Sequence, residues 1–280
     1  MRLKTLLTNI SGVPAASTSG DVTIDIPANA RYHALFLEVT VGGVAATAAQ
    51  IATALTNIQV IVNGNVIRQF SAADAQQYVL LNGGTLRDGY LPIWFSEPAR
   101  ASVMDEEVTS WDLAGQRSFT LQIAATAPAG GLGIRGYRIY DYMRNLVNGK
   151  PFAQIIKWVK QSYNAAAGEN DFDQIPKQWP IQRIMVFGAG ATLTRIRVRS
   201  DSVEVFDQTF AQNASTLADY GMVQQVNSLP IVFDYSQQIR DFLPVIGADS
   251  SPLRDLNVKL TCATAQNISF VTMQRVNDFS

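Results

Sequence analysis

The sequence predicts an all-β protein, two tandem eight-stranded jelly rolls with few short helices, and three observations carry that expectation. Apolar and polar residues alternate along most of the chain, turn residues fall between the alternating runs, and one strand-turn-strand stretch has an echo far downstream. The stretch is "LTNIQVIVNGNVIRQF", Leu55 to Phe70, and its echo is "LTRIRVRSDSVEVFDQTF", Leu193 to Phe210.

Alternation with period two puts successive side chains on opposite faces of a strand. It runs through Val22, Ile24 and Ile26, through Leu35, Leu37 and Val39, through Ile58, Val60 and Val62, and through Phe119, Leu121 and Ile123. In the second half it returns at Ile184 and Val186, Ile196 and Val198, Val203 and Val205, Leu256, Val258 and Leu260, and Ile268 and Phe270. The punctuation is "NGN" at 63–65, "NGG" at 82–84, "GAGA" at 188–191 and "GADSSP" at 247–252, all of it turn chemistry. Many short strands with regular turns describe a sandwich or barrel.

Helical patterning is confined to three places. In "PFAQIIKWVKQSY", Phe152, Ile155, Ile156 and Val159 keep the spacing of one helix face and Pro151 suits a first helical position. "ATAAQIATAL" reads as a short helix between two strands, and "NASTLADYG" as one capped by Asn213. The first of these, followed by the small, polar "NAAAGEN", marks a boundary, so the expected organisation is 1–140 for an N-terminal jelly roll, 141–168 for a connecting segment with a helix, and 169–280 for a C-terminal jelly roll.

The repeat extends beyond the hairpin, which two chance amphipathic hairpins would not do. Ile26-Pro27 followed by Leu35 and Leu37 matches Ile175-Pro176 followed by Ile184 and Val186 at an offset of 149, and Leu55, Thr56, Ile58 and Val60 match Leu193, Thr194, Ile196 and Val198 at 138. The difference is the "GGVAATAAQIA" stretch within residues 42–54, which has no counterpart in the second copy. Both copies continue through Ala- and Gln-rich polar segments ("SAADAQQY", "AQNASTLADY") and end on a late alternating strand ("FTLQIAA", "LNVKLTCA").

Composition sets limits. With 47% hydrophobic residues over 280 positions the chain can bury real cores, and a net charge of -1 with no local basic patch speaks against direct nucleic-acid binding. One cysteine, Cys262, permits no intrachain disulfide and reads as a small buried side chain. "MRLKTLL" lacks the apolar run of a signal peptide and is expected to be mature sequence, and no segment is long and apolar enough for a membrane-spanning helix.

The inventory for catalysis is thin, and no enzyme is expected. The single histidine, His33, enters a strand in "RYHALFL" and reads as structural; Gly131, Gly133 and Gly136 form a Gly-x-Gly-x-x-Gly with neither the following helix nor the acidic residue a dinucleotide site needs. That stretch reads as a glycine-rich turn. Extended backbone through "GENDFDQIP" puts Glu169, Asp171 and Asp173 on one face, a weak calcium candidate, and Asp105, Glu106 and Glu107 in "MDEE" form a second acidic run; both read foremost as solvated loops. Trp94 in "LPIWFSEP" reads foremost as a loop anchor in a core or subunit interface and only second as a sugar platform, and a lectin-like or receptor-binding tandem sandwich is the alternative reading of the chain. A glycosidase working through paired carboxylates such as Glu106 is the weakest reading, for want of a cleft-forming pair.

The order of "NISGVPAASTSGDVTIDIP", "LTNIQVIVNGNVIRQFSAADAQQYVLLNG", "MRNLVNG", "IPKQWPIQRIMVF", "STLADYG" and "IVFDYSQQIRDFL" resembles the major capsid proteins of corticoviruses over nearly the whole chain. The resemblance implies a double jelly roll, a homotrimeric pseudo-hexagonal capsomer, and an icosahedral shell over an internal membrane. It implies a virion protein of a bacteriophage, assembled in the host cytoplasm, with neighbouring trimers and a vertex protein as partners. The N-terminal Arg2 and Lys4 would then face lipid. Members of that family bind calcium, but no ligand set transfers onto this chain, and the 42–54 insert has no role assigned by the resemblance.

Overall fold

The structure, a computed structural model, describes residues 1–144, 146–147, 150–151, 154–188, 192–245 and 253–279. The chain divides into two compact units, unit 1 of Met1–Val79, Thr85–Ile156 and Val276–Ser280, and unit 2 of Leu80–Gly84 and Lys157–Arg275.

Unit 1 runs through β1 (Leu3–Leu7), β2 (Ile10–Ser11), β3 (Ser19–Asp25), β4 (Arg31–Val41), β5 (Val44–Ala45), α1 (Ala48–Ala54), β6 (Leu55–Val62), β7 (Asn65–Phe70) and α2 (Ala72–Leu81), whose last two residues cluster with unit 2. It continues with β8 (Tyr90–Trp94), α3 (Val103–Val108), β9 (Trp111–Asp112), β10 (Phe119–Thr126), β11 (Leu132–Asp141) and the small pair β12 (Leu146–Val147) and β13 (Lys150–Pro151). One sheet has the order β7-β6-β10-β3-β2; the other has β1-β11-β4-β5, with β8 and β9 also on β4. β4 takes neighbours on both sides and is buried on both faces from Arg31 to Leu37, so its apolar run is continuous rather than alternating. The two sheets face each other across aromatic rings: Tyr32 of β4 meets Phe119 of β10 edge-on at 5.2 Å.

Unit 2 holds β14 (Ile155–Ala165), whose first two residues cluster with unit 1, β15 (Gly168–Phe172), β16 (Ile181–Gly188), β17 (Leu193–Ser200), β18 (Val203–Thr209), α4 (Phe210–Asp219), β19 (Ile231–Val232), β20 (Leu256–Cys262) and β21 (Gln266–Val276), whose last residue clusters with unit 1. The sheets are β19-β16-β21-β14 and β15-β20-β17-β18, and Phe172 of β15 packs on Phe270 of β21 with ring centres 5.0 Å apart. Cys262 sits free and buried at the end of β20, where burial raises its thiol pKa.

The repeat holds residue by residue from 55–81 to 193–219, at the constant offset of 138. Thr56 and Thr194 are each the extra residue of a bulge, and each hydroxyl donates to a carbonyl across the pair, Ala124 O at 3.3 Å and Thr261 O at 3.1 Å. The turns are equivalent too: Asn63 and Gly64 have φ 52° and 84°, Asp201 and Ser202 have 45° and 70°, the two left-handed residues of a turn whose twist suits a hairpin. Finally, Ser71 caps α2 with Asp74 reaching back, and Thr209 caps α4 with Gln212 reaching back.

Four expectations change. The helix over "PFAQIIKWVKQSY" is instead β14: Ile155, Ile156 and Val159 are β-branched, stiff in a helix and suited to a pleat, and Phe152, which completed the helical spacing, lies outside the described residues. The helix in "NASTLADYG" starts earlier, capped by Thr209; Asn213 is buried inside it, with its Nδ2 donating to Gln224 Oε1 at 2.7 Å and Pro230 O at 2.9 Å. The polar stretch "SAADAQQY" is the helix α2, whose Ser71–Asp74 box was legible. The glycine-rich segment at 131–136 is largely strand: Gly133 and Gly136 lie within β11, where an added Cβ would meet Thr40 Oγ1 at 2.4 Å and Leu7 Cδ1 at 3.0 Å.

Because Ser202 holds a left-handed conformation that costs a residue with a Cβ on the order of 1 kcal/mol, Ser202→Gly is expected to stabilise the protein by about 0.5–1 kcal/mol. Gly64→Ala is expected to destabilise it by about as much. Urea unfolding midpoints at unchanged slope measure both.

Candidate functional site

A dense group of titratable side chains in unit 1 lies where β4 begins. Arg31 is flanked in register by Asp141 of β11 on one side and Asp112 of β9 on the other, and His33 lies two residues on, on the same face as Arg31. Arg31 grips Asp141 with both arms of its guanidinium, Nε to Oδ1 at 3.0 Å and Nη2 to Oδ2 at 2.7 Å, and the same Nη2 reaches Glu107 Oε2 at 2.6 Å. His33 Nε2 lies 2.9 Å from Asp141 Oδ2 and its Nδ1 3.2 Å from Ser96 Oγ. A carboxylate only accepts, so Nε2 carries the ring proton and Ser96 donates to Nδ1. The Met143 N–H completes four donors on the Asp141 carboxylate, at 2.9 Å to Oδ1.

Outside this buried core the same charges continue to the chain's start. Arg2 binds Glu106 and Glu107 of α3, each at 2.8 Å, and Arg144 binds Asp112 at 2.7 Å. Lys4 of β1 lies over the rings of Phe36 and Tyr137, 5.7 and 5.1 Å from their centres. The segment that sequence placed toward lipid is thus engaged with its own unit through both cations.

Burial raises the Asp141 pKa, but its hydrogen bonds from Arg31, His33 and the Met143 backbone outweigh that and bring the group down to about 2. Burial lowers the pKa of His33, and Asp141 only partly offsets it, so the ring stays neutral near neutrality. Glu107 is also raised by burial and lowered further by Arg2 and Arg31, ending below its ordinary value. His33, Glu107 and Asp141 bring ligand atoms within 4.8 Å of one another, the spacing of a metal site, yet the guanidinium of Arg31 already fills the cation's place against both carboxylates. Asp141 and His33 are hydrogen-bonded within the unit and buried, so the arrangement holds β4 to its neighbours as a clamp.

A second buried cation lies nearby in the unit. Arg68 of β7 donates to Ile156 O at 2.8 Å and to Trp94 O, and stacks over Phe95 and Trp111, whose rings are themselves stacked at 4.3 Å. Burial lowers its pKa to about 10, which leaves it charged at neutral pH. Unit 2 has its own pair, with Arg183 Nε and Nη2 on the two oxygens of buried Asp234 at 2.6 and 3.0 Å.

The residues singled out by sequence fall as follows. Glu169 and Asp171 lie on the edge strand β15, where Glu169 pairs with Arg197 and Lys259, and Asp171 with Lys259 and Asn257. Asp173 follows β15 and is exposed. Asp105, Glu106 and Glu107 belong to the helix α3 rather than a solvated loop, because Ser102 caps it and Arg2 holds its acids. Trp94 is half-buried, with its ring perpendicular to that of Phe36 at 5.2 Å. His33 was expected to be structural and is. The partners Arg31 and Asp141 lie far apart in sequence and carry no local signal; only the strand register joins them.

Two facing-sheet sandwiches in tandem define the double jelly-roll class. The family model for the viral coat protein P2 N-terminal domain matches residues 5–137, and that for the viral coat protein P2 C-terminal domain matches residues 155–273. The chain belongs to the viral coat protein P2 family and is a major capsid protein. Its fold is similar to that of the major capsid protein P2 from bacteriophage PM2, with a TM-score of 0.83 at 15% identity over 99% of this chain and 98% of that one. It is also similar to the STIV major capsid protein, with 0.70 at 14% identity over 100% and 98%, and to the PBCV-1 virus capsid, with 0.62 at 8% over 98% and 93%. No curated protein matches the sequence.

A buried charge pair broken on one side leaves the other charge stranded, so Asp141→Asn is expected to cost about 3–5 kcal/mol in chemical denaturation. His33 binds its proton less readily folded than unfolded; its neutral form therefore contributes stability that is present above about pH 6.5 and is lost as the pH falls below that value. The melting temperature is expected to drop between pH 7 and pH 5, and His33→Gln to flatten that drop. Asp141 adds a second loss below about pH 4, towards its folded value of about 2.

Proposed function

We propose that three copies assemble into a pseudo-hexagonal capsomer and that such capsomers tile an icosahedral shell over an internal membrane, in a virion assembled in the host cytoplasm. The observation that carries this reading is the repeat: bulge, turn and helix cap recur at one offset, so each chain brings two like sandwiches and a trimer brings six. Six similar sides let one trimer meet six neighbours with related contacts. The shell needs no chemistry from the chain, and the satisfied, buried state of His33 and Asp141 agrees with a non-catalytic role. Neighbouring trimers, a vertex protein and the membrane surface are the partners in this reading, with no direct nucleic-acid contact.

Calcium belongs to the proposal only as a bridge between copies at Glu169, Asp171 and Asp173, because Arg197 and Lys259 already neutralise the first two carboxylates within one chain. A double variant, Glu169→Gln with Asp171→Asn, should then lose calcium-dependent assembly; identical calcium dependence rules the bridge out.

Size-exclusion chromatography with light scattering is expected to give a trimer, about three times the chain mass of 30.6 kDa. A stable monomer at high concentration contradicts the proposal. Electron microscopy of the same material is expected to show a hexagonal outline end-on.

A further inference from the structure

The repeat lets the second strand of each hairpin be compared position by position. β7 and β18 are counterparts at the offset of 138, and each carries one bulged residue against its hairpin partner, Ile67 and Val205. In unit 1 the other side of β7 is taken by the start of β14, whose Ile155 and Ile156 belong to this unit, and Arg68 Nε of β7 donates to Ile156 O at 2.8 Å. In unit 2, β18 ends the sheet β15-β20-β17-β18, and no strand among the described residues pairs with its other side.

The side chains register this difference along the strand. Ile67 and Ser71 are buried where Val205 and Thr209 are exposed, Phe70 is buried where Gln208 is half-buried, and Gln69 is half-buried where Asp207 is exposed. Arg68 and Phe206 are buried in both units, while Asn65 and Val66, like Val203 and Glu204, are exposed in both. Two apolar side chains of β18 thus face solvent, Val203 at 63% and Val205 at 39% exposure. The strand holds no Lys or Pro, residues with which proteins commonly guard a free sheet edge. An open edge presents unpaired main-chain N–H and C=O groups, and a further strand can add to them.

The repeat also says which strand fits there. β14 opens unit 2 and lies beside β21, the last strand of that unit, which in turn lies beside β16. β1 opens unit 1 and lies beside β11, its last long strand, which in turn lies beside β4. β1 is therefore the counterpart of β14, and it stands at a sheet edge with β11 as its one strand partner among the described residues. Within one chain β1 and β18 do not pair with each other. Pairing β18 with β18 of another copy would set Glu204 and Asp207 against their own kind, whereas the one charge within β1 is the cation Lys4.

We infer that β18 of one copy pairs along its open edge with β1 of a second copy, as β7 meets the start of β14 within the chain. Each copy then offers one edge and fills another, a heterologous contact of the kind that closes into a ring when the rotation allows. The inference rests on the capsomer reading and names the strands that join its copies.

Amide hydrogen exchange on the full chain tests it. Residues 3–7 and 203–209 are both expected to be protected in the trimer and to lose protection on dilution to the monomer, while β17, paired on both sides within its own sheet, keeps its protection in both states. A parallel variant, Val203→Lys with Val205→Lys, changes two exposed side chains and guards the edge with cations. It is expected to weaken trimer formation about tenfold or more with an unchanged circular dichroism spectrum. A trimeric wild type in which either strand exchanges as fast as in the monomer, or whose lysine variant associates as before, overturns the strand pairing alone. A monomeric wild type overturns the capsomer reading and this contact with it.

Discussion

Strand register is the constraint on which the rest of this protein depends. A slip of one residue in a hairpin would carry Ile58, Val60 and Val62, or Ile196 and Val198, from the core to the surface. Each unit fixes that register at both ends of the hairpin. A left-handed two-residue turn closes one end, and a bulged threonine anchored to the facing strand sets the other. With register fixed, Arg195, Arg197 and Arg199 are forced outward on β17, and Glu169, Asp171, Lys259 and Asp207 from neighbouring strands meet them as a polar outer face.

The same logic explains the charged centre of unit 1. Arg31, Asp141 and Asp112 are brought to one level by the pairing of β4 with β11 and β9, and His33 joins them because alternation puts it on Arg31's face. Burying such a set is costly, and an ion pair in a core is weak evidence for stability. A shifted β11 would leave Arg31 buried without Asp141, which counts against other registers. Arg183 with Asp234 places the same condition on β16 in unit 2.

Much of the fold was legible in the chain. The alternating runs, the Asn63-Gly64 turn and the Leu-Thr start of both hairpins gave the repeat, because each of these is a local requirement of backbone geometry. The Ser71–Asp74 and Thr209–Gln212 boxes are equally local, yet the first passed as a polar stretch and the cap of the second was placed at Asn213. The segment from Ile155 misled because Ile-Ile and Val at helical spacing also suit a strand, and only its neighbour β21 decides between the two. The acids of α3 read as solvent-facing because their partner, Arg2, is more than a hundred residues away in sequence.

The sequence by itself therefore determined the two sandwiches, their repeat and the lack of a recognisable catalytic set, since periodicity, turn residues and residue inventory are properties of the chain alone. Only the tertiary structure decided which charges meet and that Arg31 stands between Asp141 and Glu107. Those outcomes depend on strand pairing between distant segments, and no short stretch of sequence carries the register that sets it.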